Sequence, residues 1–261
     1  MSTFRVLIAS VILFCFFISC RKEDTPAAGD KFLQRIVSSW GDTISYSSYQ
    51  YDSQKRLIAI SDSSNNIGNG TGETFIEYDT NGNLLKFTHH RHYPNSQDNE
   101  WSTLLVYENG KVIQKLVKYS NQSSYFILSN YIYDMKGRLI RDSIDTYNYT
   151  DFVYDDNDNV VQAKEVTLAW GTTTNTSIKT ASYNSDINPY NSLGLTLYFI
   201  RNYSAELLSK HTRTKVIYEQ KNFSPRTGVY TYEYENGLPK KMTVTWDYEY
   251  PYLETVDFYY N

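Results

Sequence analysis

The chain has 261 residues, a formal net charge of −4 at pH 7, 26 tyrosines against 12 phenylalanines, and two cysteines. This mildly acidic balance lacks the basic stripe that a phosphate backbone requires, so nucleic acid is not an expected partner. Beyond the N-terminal segment a single cysteine remains, which leaves no disulfide, and composition offers no break that would divide the chain into two domains.

In chain order, Arg5 precedes an uninterrupted apolar run from Val6 to Ile18. The run is too short for a permanent membrane helix and reads as the core of an export signal. It ends in Phe17-Ile18-Ser19-Cys20, which resembles the lipobox of bacterial lipoproteins, where a small residue precedes an acylated cysteine. Residues 1–19 are therefore expected to be a lipoprotein signal peptide. Residues 20–30 are expected to be the lipidated Cys20 and a flexible tether, because their Thr, Pro, Ala and Gly cannot pack a core. Lys22-Glu23-Asp24 behind that cysteine resembles the surface-export signal of Bacteroidetes lipoproteins. The membrane is thus an expected partner through the lipid anchor. The expected location is the outer membrane at the cell surface, with the periplasmic face as the alternative.

From residue 31 to 261 a single repetitive β domain is expected. An alternating strand ends in Tyr plus an acidic residue, a polar turn follows, and an aliphatic strand resumes. The copies are Tyr51-Asp52 to Leu57-Ile58, Tyr78-Asp79 to Leu84-Leu85, Tyr107-Glu108 to Val112-Ile113, Tyr133-Asp134 to Leu139-Ile140, Tyr154-Asp155 to Val160-Val161, and Tyr234-Glu235 to Leu238. The first five recur at intervals suited to a structural repeat. Asn109-Gly110 and Asn236-Gly237 supply the positive φ angles of tight hairpins. The acidic residue after each tyrosine can accept hydrogen bonds from turn amides, and the tyrosine suits a half-covered sheet face. Antiparallel hairpins are therefore expected at residues 52–56, 80–83, 108–110, 135–138, 155–159 and 235–237, with neighbouring strands paired in sequence order. The one helix expected is short and lies around Ser204 to Lys210, where Leu207 and Leu208 follow a serine cap.

Few groups suggest chemistry. His90 and His92 share a strand face, yet no third metal ligand accompanies them. Asp155-Asp156-Asn157-Asp158-Asn159 has the oxygen spacing of a calcium loop but occupies the turn of a repeat, which explains it without an ion. Glu233 and Glu235 resemble a carboxylate pair, although charges on the wet face of a strand are commoner. No nucleophile elbow, zinc-protease or phosphate-loop motif is present, so neither an enzyme nor a cofactor is expected.

The wording Tyr133-Asp134-Met135-Lys136-Gly137-Arg138-Leu139-Ile140 resembles the YD repeats of Rhs and teneurin-type proteins. The whole arrangement, with Asn188-Pro189-Tyr190, Leu193-Gly194-Leu195 and Leu207-Leu208-Ser209-Lys210, resembles a family of Bacteroidetes lipoproteins of unknown function described as porin-like. The resemblance implies an all-β fold and an envelope location, and no chemistry. The expected architecture is a large curled antiparallel β-meander that is water-soluble, because Thr74 to Asp79 and Lys111 to Tyr119 carry polar residues on both faces. Whether the sheet closes is left open by the residues. The expected role is a non-catalytic cell-envelope lipoprotein binding a glycan or protein partner through an aromatic sheet face formed by Tyr230, Tyr232, Trp246, Tyr248, Tyr250 and Tyr252. The alternative is a structural scaffold without a small ligand.

Overall fold

The computed structural model describes residues 31–66, 70–94, 96–169, 173–191, 193–201, 205–247 and 252–261; the signal segment, Cys20, the tether, Tyr248 and Tyr250 lie outside them. The repeats build sixteen strands among the described residues: β1 Leu33–Trp40, β2 Thr43–Tyr51, β3 Leu57–Ser64, β4 Thr71–Tyr78, β5 Leu84–His92, β6 Asn99–Glu108, β7 Lys111–Tyr119 and β8 Phe126–Tyr133. There follow β9 Leu139–Ser143, β10 Tyr149–Tyr154, β11 Val160–Ala169, β12 Thr173–Ile187, β13 His211–Gln220, β14 Arg226–Glu235, β15 Leu238–Trp246 and β16 Tyr252–Tyr260. Each strand pairs with its sequence neighbours, and the sheet closes into a barrel through β1 and β16, where Ile36 lies opposite Phe258 and Trp40 opposite Glu254. Closure leaves no strand edge unpaired.

All six expected hairpins form. Asn109 and Gly110 have φ of 50° and 75°, and Asn236 and Gly237 have 52° and 76°, the positive pair of a type I′ turn. The other four turns are built on an aspartate. Asp52 Oδ1 accepts the amides of Gln54 and Arg56, and Arg56 Nε donates to Oδ2 at 2.8 Å. Asp79, Asp134 and Asp155 do the same for Asn83, Arg138 and Asn159. The Arg56 amide and guanidinium hold the Asp52 carboxyl below its usual range, and the Asn83 amides do so for Asp79. The Asp155 carboxylate is thus consumed by its own turn. Nothing stands within 4 Å of a Cβ built on Gly110, so Gly110→Val meets only backbone strain. A loss of about 1 kcal/mol or more is expected, read as a lowered denaturant midpoint at unchanged slope.

One residue before each repeat tyrosine the register slips, at Gln50/Tyr51, Glu77/Tyr78, Val106/Tyr107, Ile132/Tyr133, Val153/Tyr154 and Glu233/Tyr234. These bulges have a partner effect in the next repeat. The β3–β4 ladder begins at Ala59 opposite Phe75, so Leu57 lies beyond it. Its carbonyl accepts instead from the hydroxyl of Tyr78, at 2.8 Å. The same bond joins Tyr51 to Leu33, Tyr107 to Leu84, Tyr133 to Val112, Tyr154 to Leu139 and Tyr183 to Val160, at 2.7–2.9 Å. Where the strands splay, a tyrosine hydroxyl satisfies a carbonyl that would otherwise be orphaned. The turn cation completes the link, with Arg56 4.6 Å over the Tyr78 ring and Arg138 4.7 Å over that of Tyr154. Each copy of the repeat is therefore a clamp on its neighbour.

The outer wall carries charged pairs among exposed apolar side chains such as Phe75, Ile132, Val153 and Val229. Glu77 pairs with Lys86 and Arg141 with Asp151 across adjacent strands, and Arg35 spans the closing seam over the rings of Tyr46 and Tyr259. On a lipid-facing belt such charges would be costly. Among the described residues no helix is long and apolar enough to cross a membrane.

Candidate binding site in the barrel lumen

All the Tyr-acidic turns lie at one end of the barrel, as do the start of β1 and the end of β16. At that end the β12–β13 connection folds inward. Asn188 shapes the entry, its Oδ1 accepting the Tyr190 amide while its Nδ2 donates to the carbonyls of Glu206 and Ser209. The helix α1, Gly194–Arg201, then runs into the lumen, followed by a 3-10 turn, Ala205–Leu208. The helix expected around Ser204 to Lys210 is therefore only that single turn, with Ser204 outside the described residues. The true helix occupies the apolar run before it. A Cβ on Gly194 would stand 2.2 Å from the Leu207 carbonyl oxygen, so the return of the chain across the helix start requires glycine.

Leu197, Tyr198, Phe199 and Ile200 are buried in the core, with the Phe199 ring 5.0 Å from Tyr131 and the Tyr198 ring 5.9 Å from Phe152. Three strands hold the helix by polar bonds. Lys115 Nζ of β7 donates to the Phe199 carbonyl at 2.9 Å, Tyr198 donates to Asp142 of β9 at 2.8 Å, and Arg201 donates to Asp62 of β3 at 2.8 Å. A lysine at a helix C-terminus satisfies a carbonyl and opposes the negative end of the dipole. Lys115 is 4% exposed, and burial pulls its ammonium down to about 8 against the nearby Asp142. Burial raises the Asp142 carboxyl in turn. The polar residues on both faces of β4 and β7 thus have a reason: Thr74 and Lys115 point at an interior that is only partly apolar.

Beyond the helix, toward the opposite end, lies a cavity of about 450 Å³. Its floor is Ile200 and Arg201, and its wall includes Asp62, His89, Arg91, Trp101 and Lys115. His89 stacks on Trp101 with ring centroids 4.6 Å apart, and its Nδ1 lies 2.8 Å from Thr74 Oγ1. Burial, then the charges of Lys115 and Arg201, push the His89 imidazole down to about 4, so it is neutral at pH 7. The barrel is therefore a cup: sealed by α1 and the tyrosine clamps at one end, polar and hollow at the other.

The residues expected to form an aromatic binding face lie elsewhere. Tyr230 is 7% exposed beneath Arg213, which stands 4.3 Å over its ring, and Tyr232 and Trp246 pack on the core from inside the barrel. These three share one sheet face, which is the inner wall, where Tyr230 and Trp246 line a second cavity of about 170 Å³. Tyr252 belongs to β16, but its side chain lies outside the described set. Tyr234 follows Tyr230 and Tyr232 on the same face of β14, its ring 6.2 Å from that of Tyr232, and at the rim it donates to Asp186. Glu235 pairs with Lys240 and Glu233 lies opposite Lys241 in register. His90 and His92 do share the outer face, each beside one carboxylate, Glu100 at 3.3 Å and Asp98 at 2.6 Å. Among the described residues no three His, Cys, Asp or Glu side chains are grouped to hold a metal. Arg91, Trp101, Lys115 and Arg201 were not singled out by the sequence. The available signal was alternation, which puts Lys115 on the same side as the buried Val117.

No protein-family model and no curated protein matches the chain. Solved structures do. A porin-like protein from Bacteroides uniformis is 14% identical, with 88% of this chain and 96% of that one covered and a TM-score of 0.55. A porin-like protein from Bacteroides vulgatus is 12% identical over 89% and 99%, with a TM-score of 0.47. The first likeness establishes a porin-like fold for this chain.

Proposed function

We propose that this chain is a non-catalytic, lipid-anchored protein of the outer membrane, displayed at the cell surface, and that its barrel binds a glycan or protein partner at the open end of the cup. The observation that carries this reading is where the chain enters the barrel. The Phe32 amide donates to Asn261 Oδ1 at the sealed rim, beside the ring of Tyr51. The described chain thus begins at the sealed rim, which supports a reading in which the open mouth faces away from the membrane. Around that mouth Trp40, Tyr119, Tyr147 and Phe223 are 44–60% exposed, which makes this rim the aromatic surface available to a partner. The inner carboxylates support a non-catalytic role, because Asp62 is committed to Arg201 and Ser47 and Asp142 to Tyr198. The alternative, a scaffold without ligand, is favoured by the repeat tyrosines, whose hydroxyls are spent on the wall itself.

Cys20→Ala is expected to abolish lipid labelling and release the protein from membranes. Retention without label would contradict the anchor. Intact cells are expected to expose the domain to added protease, and Glu23→Ala with Asp24→Ala to hide it; equal access in both would remove surface display.

A further inference from the structure

We propose that the cup is a binding site for a small saccharide bearing a carboxylate, such as a uronic acid disaccharide, with Arg91 and Arg201 facing the acid group and Trp101 stacking on a sugar ring. This rests on the reading that the open end is the binding end, and it names the ligand.

Size is the first ground: about 450 Å³ falls within the range of small-molecule sites, roughly 300–1,000 Å³, and exceeds what one side chain or a few waters need. Charge is the second. Three cations, Arg91, Lys115 and Arg201, line the cavity against Asp62, while the side chains of Glu73 and His90 alternate to the outer face of β4 and β5. The field they make is felt inside, since Lys115 and Arg201 depress His89 further than Asp62 restores it. The positive lumen therefore favours an anion. Lys115 is nearly buried under the helix end, while Arg91 and Arg201 are half-buried on the cavity wall and stand nearer a ligand. A guanidinium carries five donors in a planar fork that matches a carboxylate, so Arg201 can hold Asp62 and still present others.

Shape is the third ground. The half-buried indole of Trp101, braced by His89, sits on the wall next to these cations. A flat apolar platform beside hydrogen-bonding groups suits a sugar, whose faces are apolar and whose edges are hydroxylated. Thr74 and Thr103 add hydroxyls to the same wall. An inorganic anion would leave the indole uncovered, and a neutral sugar could hydrogen-bond the arginines but would leave their charge unmatched.

The test uses the lipidated mature protein in detergent, titrated with a galacturonic acid disaccharide and with a galactose disaccharide, read by tryptophan fluorescence and calorimetry. Saturable binding of the uronide is expected, at least tenfold tighter than the neutral sugar and weakened by salt. Arg91→Gln is expected to weaken uronide binding at least tenfold, and Trp101→Phe to weaken it while removing most of the fluorescence change. Circular dichroism and melting of each variant report folding separately. Equal affinity for the two sugars would overturn the assignment of charge, and no binding of either would overturn the site. Binding unaltered in both folded variants would place the ligand elsewhere and overturn it too. Lipid labelling and protease access do not depend on these outcomes, so failure here is distinguishable from failure of the anchored, outward-facing reading.

Discussion

Raising the pH above about 10 is expected to unfold the barrel in one cooperative transition, with phenolate absorbance appearing as the β-sheet dichroism is lost. The clamps and the plug are made of tyrosines whose hydroxyls burial has pushed above the ordinary value of 10.0, among them Tyr51, Tyr133, Tyr154, Tyr190 and Tyr198. In the unfolded chain these groups ionise near 10, while in the barrel they resist. Their contribution is thus fully present below pH 10 and is lost as pH rises from there toward the folded values. Tyr49 and Tyr230, each 7% exposed, are pushed up to about 12. At pH 12 those two alone remove on the order of 5 kcal/mol, at about 1.4 kcal/mol per pKa unit. That is comparable with the whole stability of a domain, about 5–15 kcal/mol. Lys115 acts in the opposite sense. Its folded value near 8 lies below the usual 10.5, so the unfolded state binds more protons between them and stability rises over that window by up to about 3 kcal/mol, offsetting part of the tyrosine loss. Tyrosines ionising progressively from pH 10 with the dichroism unchanged would contradict the account.

Phe199→Ala is expected to destabilise the barrel by about 3–5 kcal/mol, the usual loss for a large aromatic deleted from a core. Phe199 is 3% exposed, packs on Tyr131, and its carbonyl receives the buried Lys115. If α1 is an integral part of the core, the loss appears as a lower denaturant midpoint for the whole barrel. Leu195→Ala, on the same helix but 43% exposed, is expected to change stability by less than about 0.5 kcal/mol. Equal, small effects of the two would mean that the helix is not part of the cooperative unit.

The hairpins were legible because their chemistry is local. An Asn-Gly pair, or an aspartate five residues before the next strand, determines its turn whatever lies around it. Long-range consequences were not. The repeat tyrosines read as rings with a wet edge, whereas the hydroxyls of five of them, and of Tyr183, reach a carbonyl near the start of the preceding strand, an arrangement that exists only once splayed strands are side by side. The helix was hidden for another reason. Leu195-Thr196-Leu197-Tyr198-Phe199-Ile200 has the β-branched and aromatic content of a buried strand, and its helical form depends on a lumen that covers nearly every side. The cup drew on the six strands β3 to β8 and the helix end, so alternation could place its members inward without showing that they meet.

The central claim is that the chain seals its own barrel, making a cup and not a channel. Amide hydrogen exchange of residues 197–201 tests it most directly, compared with β7 and β9, which hold the helix through Lys115 and Asp142. The account predicts that these helix amides exchange as slowly as the strand amides, by global unfolding. Rapid exchange of the helix while β7 and β9 stay protected would show a removable plug and contradict the sealed cup.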